Sequence, residues 1–312
     1  MTKTTFKIYL TIFVSAFLFA CSKNDDAPAE TTETTAKFNV FLVDTNKVKS
    51  CNSDGTNIKL ITQISQGTSK STYISDMSAN PERTKIAYLV RKGDFPNYST
   101  ELRIVDFNGN NDKLLVAIND NAAIPGSVKF ASGGLVYYNY SIGSSVKFYS
   151  IKDDATVNTV KFSHKFEDIS NDGRYLLRFS FSLDASKTPI QVLDLSGDGG
   201  AGSNKFSKNL DVQLRSMKIS SDGFKVAGIY RDGTTVKLLI ADVNTGTIEE
   251  KTLASNVTNT FGSLFVSFAP DNKTLICTIG GDASKTYIYS LETGTSTSFS
   301  NTNKDIVKVY GF

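Results

Sequence analysis

The stretch ISSDGFKVAGIY, Ile219 to Tyr230, decides the fold of this 312-residue chain. It reads as the end of one apolar strand, a polar turn and the start of a second apolar strand, the signature of a hairpin. The pattern returns along the chain. MKISSDGFKVAGIY (217–230) aligns with EDISNDGRYLLRFS (167–180) and VSFAPDNKTLICTI (266–279). VKFASGGLVYYNY (128–140) matches with a shorter turn, and DMSANPERTKIAYLV (76–90) with a longer one. The turn aspartates Asp172, Asp222 and Asp271 lie 50 and 49 positions apart, which is a propeller-blade period.

A second set of strand–turn–strand segments falls between the first. ELRIVDFNGNNDKLL (101–115), VKFYSIKDDATVNTVKF (146–162), IQVLDLSGDGG (190–200), KLLIADVNTGTIEEKTL (237–253) and TYIYSLETGTSTSF (286–299) each supply one. Together the two sets give units of four strands, starting near residues 71, 125, 165, 212 and 261. Residues 38–62, FNVFLVDTNKVKSCNSDGTNIKLIT, hold the last three strands of a blade but lack the first. The segment DIVKVYGF (305–312) is a lone apolar strand. Joined, they complete a sixth blade. The expected fold is therefore all-β: a six-bladed β-propeller of four-stranded antiparallel blades over residues 37–312, its ring closed by strands from both ends of the chain in one blade.

Composition agrees with strands and turns. Apolar residues make up 40% and charged residues 21%, ordinary for a folded protein. The N-terminus reads MTKTTFK, then the apolar run IYLTIFVSAFLFA, then CSKNDD. A basic start, an apolar run too short to span a bilayer and a small residue before a cysteine predict a signal peptide over 1–20. Leu18-Phe19-Ala20-Cys21 resembles the bacterial lipobox, which implies acylation of Cys21 and attachment to a membrane through its acyl chains. Residues 21–36 carry no large apolar side chain and are expected to form a flexible tether. The acidic pair Asp25-Asp26 resembles the cluster that follows the cysteine in surface-exported lipoproteins of the Bacteroidota. Removal of Lys3 and Lys7 from the 34 basic residues leaves 32 against 31 acidic ones, so no field for nucleic acid remains.

Catalytic motifs are sparse. His164 is the single histidine, and no GxSxG elbow accompanies it. Gly197-Asp198-Gly199-Gly200-Ala201-Gly202 matches GxGxxG in letters, but the next residues, SNKFSKNL, have no helical period, so it reads as an enlarged hairpin loop. Asp106, Asn108, Asn110, Asp153 and Asp154 sit in turns and do not complete an EF-hand. Tyr137, Tyr138, Tyr140 and Tyr149 are read as strand alternation before a sugar platform, and Cys51 and Cys277 as buried thiols. No cofactor and no metal site is expected.

One pattern is less plain. A polar residue precedes the apolar residue that ends each first strand: Asp76, Lys129, Asp168, Lys218 and Ser267, with Lys308 in the closing strand. These six are expected to ring the central channel. The plainer reading is ion pairing between blades; the functional reading is a polar ring that orients a ligand.

The SSDG, SNDG and APDN turns before apolar strands, with second turns of the VDFNGNN and DVNTG kind, resemble the TolB-like six-bladed β-propeller family over about residues 37–312. The resemblance implies the fold and an envelope setting. No counterpart of TolB's additional N-terminal α/β domain is expected here, so its Tol–Pal partnership is not implied. The expected function is a non-catalytic envelope lipoprotein, held at the outer membrane and open to surface display, that binds a protein, peptide or glycan. The alternative is an envelope polysaccharide lyase or hydrolase with its site at the channel mouth.

Overall fold

In the computed structural model, residues 39–66, 71–94, 98–155, 166–179, 187–196, 202–257, 263–280 and 285–300 are described in full, and 158–160 and 306–311 by their backbone. Strands β1 (Asn39–Asp44), β2 (Lys47–Asn52) and β3 (Lys59–Gln63) begin blade 1. Blade 2 is β4 (Tyr73–Ala79), β5 (Lys85–Lys92), β6 (Ser99–Asp106) and β7 (Lys113–Ile118). Blade 3 is β8 (Ala123–Phe130), β9 (Leu135–Ile142), β10 (Ser145–Lys152) and β11 (Asn158–Val160). Blade 4 is β12 (Asp168–Ile169), β13 (Tyr175–Phe179), β14 (Thr188–Asp194) and β15 (Ser203–Leu210). Blade 5 is β16 (Leu214–Ile219), β17 (Lys225–Asp232), β18 (Thr235–Asp242) and β19 (Ile248–Ala254). Blade 6 is β20 (Leu264–Phe268), β21 (Thr274–Ile279), β22 (Lys285–Ser290) and β23 (Ser296–Ser300), and β24 (Ile306–Gly311) returns to blade 1.

Each blade is a four-stranded antiparallel sheet, and the order in blade 1 is β24-β1-β2-β3. Val40 pairs with Gly311 and Val43 with Lys308, so the two ends of the chain close the ring as the sequence predicts. The protein is a six-bladed β-propeller.

The core lies between blades, not within them. A single twisted sheet has two apolar faces, and stacking six of them radially buries both. Phe41 and Val43 of blade 1 pack on Met77, Ile86 and Tyr88 of blade 2. Around the ring, Leu89 and Ile104 meet Val136 and Tyr138; Tyr137 and Phe148 meet Phe166 and Leu176; Leu177 and Val192 meet Met217 and Val226. Leu238 of blade 5 packs with Leu275 and Cys277 of blade 6, and Ile276 and Ile288 on blade 6's other side pack with Val40, Leu42 and Cys51 of blade 1. Six interfaces thus carry six apolar clusters.

The turn between first and second strands, here the inner turn, explains the repeated SxDG letters. In blade 5 the Asp222 carboxylate accepts from Ser220 Oγ (2.5 Å) and Phe224 N (3.0 Å), while Ser220 Oγ accepts from Lys225 N (2.9 Å). Blade 4 repeats the set with Asp172, Ser170, Arg174 and Tyr175. These are side-chain mimics of a backbone turn. Gly223 stands at φ +81°, and a Cβ there would come within 2.1 Å of the Tyr175 ring of blade 4. Glycine is required twice over at that point, by conformation and by the neighbour's aromatic side chain.

Candidate functional site

The inner strands converge on the propeller axis and bring their polar residues together. Where the inner turns surround that axis, a pocket of about 90 Å³ opens, lined by Lys129, Asp168, Lys218 and Ser267 with the turn residues Asn171 and Asn272.

Pairing registers show how the six ring candidates are arranged. Lys129 opposes Tyr137, Asp168 opposes Leu177, Lys218 opposes Ala227 and Ser267 opposes Ile276, each the third residue of its second strand. Asp76 opposes Leu89 and Lys308 opposes Val43, each the fifth. The six therefore occupy two levels, two residues apart. Ser78 and Tyr310 hold the level of the pocket in blades 2 and 1, because they oppose Ala87 and Phe41. The difference arises because β4 runs on through Ser78 to Ala79, and β24 to Gly311, beyond the large apolar residues Met77 and Val309 from which a sequence count starts. Counting back two residues from the residue that opens the turn, namely Asn80, Ala131, Ser170, Ser220 and Ala269, finds Ser78 along with the other four.

The carboxylates are committed to the scaffold. Asp76 Oδ2 accepts from Val128 N of the next blade at 2.9 Å, and Asp168 Oδ2 from Ile219 N of the next at 3.1 Å. Asp168 Oδ1 also accepts from Ile169 N at 2.9 Å and lies 3.8 Å from Lys129 Nζ. Ser78 Oγ accepts from Phe130 N at 3.0 Å. Inner strands cannot form backbone ladders across blades at this spacing, so side-chain acceptors satisfy the buried amides instead.

The two lysines sit in contrasting fields. Burial, reinforced by the nearby Lys218 charge, lowers the Lys129 pKa below the ordinary lysine value despite Asp168 and Asp76. Burial also pulls on Lys218, but Asp168, Asp76 and Glu167 together outweigh it and raise that ammonium's pKa. Lys218 Nζ points to the Glu167 carbonyl at 3.5 Å.

A belt of contacts links the inner turns around the pocket. Ser132 N donates to Asn171 O (2.7 Å), Asn171 N to Ser221 O (2.9 Å) and Ser221 N to Asn272 Oδ1 (2.9 Å), and Asn272 Nδ2 returns to Ser221 Oγ (2.7 Å). The mouth thus presents the Lys129 and Lys218 ammonium groups on a frame whose turn amides are already paired from blade 3 to blade 6. Such a lining can hold and orient an acceptor-rich group.

Other sequence candidates take structural places. Tyr138, Tyr140 and Tyr149 stack on one another with centroids 5.5 to 6.5 Å apart. Asn108 Oδ1 caps Asn110 N, Asp106 accepts from Asn111, and Asp153 pairs with Lys85. Cys51 and Cys277 are free and buried, and burial pushes the Cys51 thiol up to about 11. Among the described residues no cluster of metal-ligating side chains occurs. Cys21, His164 and the glycines of 197–200 lie outside the described residues.

The sequence matches no family model and no curated protein. Solved structures are similar at the level of fold. TolB from Acinetobacter baumannii superposes with a TM-score of 0.67 at 17% identity, over 88% of this chain and 66% of that one. A chain of a nidogen/laminin complex gives 0.62 at 11% identity, covering 88% and 96%. The periplasmic gluconolactonase PpgL of Pseudomonas aeruginosa gives 0.57 at 13% identity, covering 88% and 98%. At such identities the likeness shows the architecture, and TolB-like propellers are among the structures that share it.

Proposed function

We propose that this protein is an acyl-anchored envelope lipoprotein whose propeller is a non-catalytic binding module, with the inner-turn face as its recognition surface. One observation carries the reading: the carboxylates nearest the pocket are hydrogen-bonded to backbone amides of the neighbouring blade, while the ammonium groups of Lys129 and Lys218 line its wall. A general base must reach a substrate proton with an available lone pair. Asp168 instead holds two backbone amides and faces Lys129. The similarity to TolB and to a chain of a nidogen/laminin complex supports a protein or peptide ligand, although a glycan would satisfy the same donors. The lipobox resemblance at Cys21 and the tether over 21–36 support the anchor.

The test compares wild type with Cys21→Ser by mild crosslinking and capture from intact cells. The proposal expects one envelope component recovered with the anchored form and lost from it by Lys129→Met in the pocket. The competing reading draws on the likeness to a periplasmic gluconolactonase. Turnover of a lactone or an acidic glycan by purified protein, abolished by Lys129→Met, would replace binding with catalysis.

A further inference from the structure

The outermost strands of the blades are not alike. They can be matched at the residue that opposes the position three before the end of the third strand, which ends at Asn52, Asp106, Asp194, Asp242 and Ser290 in blades 1, 2, 4, 5 and 6. Leu60 of β3 pairs with Lys49 there, and Leu114 of β7 with Arg103. The matching residues are Ser207 of β15, opposite Gln191, Glu250 of β19, opposite Leu239, and Ser298 of β23, opposite Tyr287. Blade 3 places Val160 opposite Tyr149. Blades 1 and 2 thus show leucine where blades 4, 5 and 6 show serine or glutamate.

These leucines are exposed, Leu60 at 56% and Leu114 at 46%, and Ile58 beside them is exposed at 45%. They make up half of the six large apolar side chains exposed among the described residues. Blades 1 and 2 are neighbours in the ring: Gly109 abuts the Ile61 carbonyl, and Thr62 Oγ1 donates to Asp112 at 2.9 Å. Each leucine follows an exposed lysine, Lys59 and Lys113. Two adjacent Lys-Leu pairs at one edge join cationic heads to aliphatic contacts, the combination that suits an anionic lipid surface. The described chain begins at Asn39, which lines the same groove as Leu60 and Phe107. Only 18 residues separate Cys21 from Asn39, so the stretch that leads from the proposed anchor joins the described chain beside this edge.

We infer that the outer edge of blades 1 and 2 docks on the bilayer that holds the acyl chains, through Ile58, Leu60, Leu114, Lys59 and Lys113. The inference rests on the anchor proposed above. It gives the propeller a fixed attitude, with blades 4 and 5 turned away from the membrane.

The sequence contains no tryptophan, so single reporters can be introduced without background. Leu60→Trp, Leu114→Trp and Ser207→Trp are each placed in the full acylated protein and reconstituted in phosphatidylglycerol-containing vesicles. Docking predicts blue-shifted emission for the first two, quenched by lipids brominated about 5–10 Å below the headgroups, and water-like emission for the third. All three positions are on the surface, so folding is not at stake, and two independent leucine sites guard against a local artefact. An acylated chain whose three reporters behave alike overturns the docking alone. A mature chain whose mass shows no acyl group at Cys21 overturns the anchor and the docking with it.

Discussion

Blade 5 and blade 1 are the same four-stranded sheet assembled in two ways. Blade 5 is one continuous run from Leu214 to Ala254, its strands joined by short turns. Blade 1 takes β1 to β3 from one end of the chain and β24 from the other. Both bury comparable apolar faces against blade 6, through Leu238 on one side and Leu42 on the other. They differ in loop-closure entropy, not in packing chemistry. Local contacts repay that cost early in folding, whereas the blade 1 seam must wait for contacts between residues far apart in sequence.

The largest effect expected is also the sharpest test of that contrast. Leu42 is 2% exposed and Leu238 fully buried, so truncating either to Ala costs about 2–5 kcal/mol. Denaturant kinetics should separate them. Leu42→Ala accelerates unfolding and leaves refolding nearly unchanged, because the seam forms last; Leu238→Ala slows refolding. Equal effects on both limbs for both variants would break the comparison.

A second test removes blade 5's advantage at its inner turn. Gly223→Ala forces a left-handed backbone and drives a Cβ into Tyr175, a cost of about 2–4 kcal/mol by thermal or urea melting. Gly246→Ala in the outer turn of the same blade has a similar φ of +74° but no atom within 4 Å, so its cost is about 1 kcal/mol. The gap between the two measures what blade 4 contributes to holding blade 5.

The ring lysines give a smaller and oppositely signed pair. Lys129→Met removes an ammonium whose charged form the fold disfavours and is expected to be neutral or stabilising, whereas Lys218→Met strands Asp168, Asp76 and Glu167 and destabilises. The two also differ in pH dependence. A lowered lysine pKa means the unfolded chain binds more protons between the folded and unfolded values, so the Lys129 contribution rises with pH approaching the ordinary lysine range. The raised Lys218 pKa contributes stability present below that range and lost as pH climbs through the folded value. Comparing alkaline melts of the two Met variants reads the signs directly.

The smallest effect lies at the surface of blade 4. The Arg174 guanidinium, with Ser196, holds the Asp194 carboxyl below the usual carboxylate range. Its stabilisation is present above the unfolded pKa and lost as pH falls through the folded one, so Arg174→Ala should raise the midpoint of acid unfolding slightly, and less in high salt.

Much of the fold was legible because its signals are local. The inner turns spell their own hydrogen bonds in Ser170, Asp172, Ser220 and Asp222, and the orphan strands 38–62 and 305–312 announce the shared blade. The polar ring was legible only in part. Lys129, Asp168, Lys218 and Ser267 share one level, but Asp76 and Lys308 lie two residues deeper, since a strand's end depends on how far its pairing continues and not on where its large apolar residues stop. The apolar edge of blades 1 and 2 escaped sequence reading altogether. Lys-Leu at the start of a strand carries no mark of whether the leucine faces the core or the solvent, and that is set by the strand's place at the rim.

The blade 1 seam also bears on synthesis. β1 leaves the ribosome or the export channel early, yet its inner partner β24 emerges roughly 260 residues later, about 13–50 s at ordinary elongation rates. For that interval NVFLVD is an apolar edge with one side open, the kind of strand that recruits other chains. Quality control for this protein falls on a nascent edge awaiting its mate, so a holdase that shields extended apolar segments should govern its yield more than any factor that acts on the closed ring.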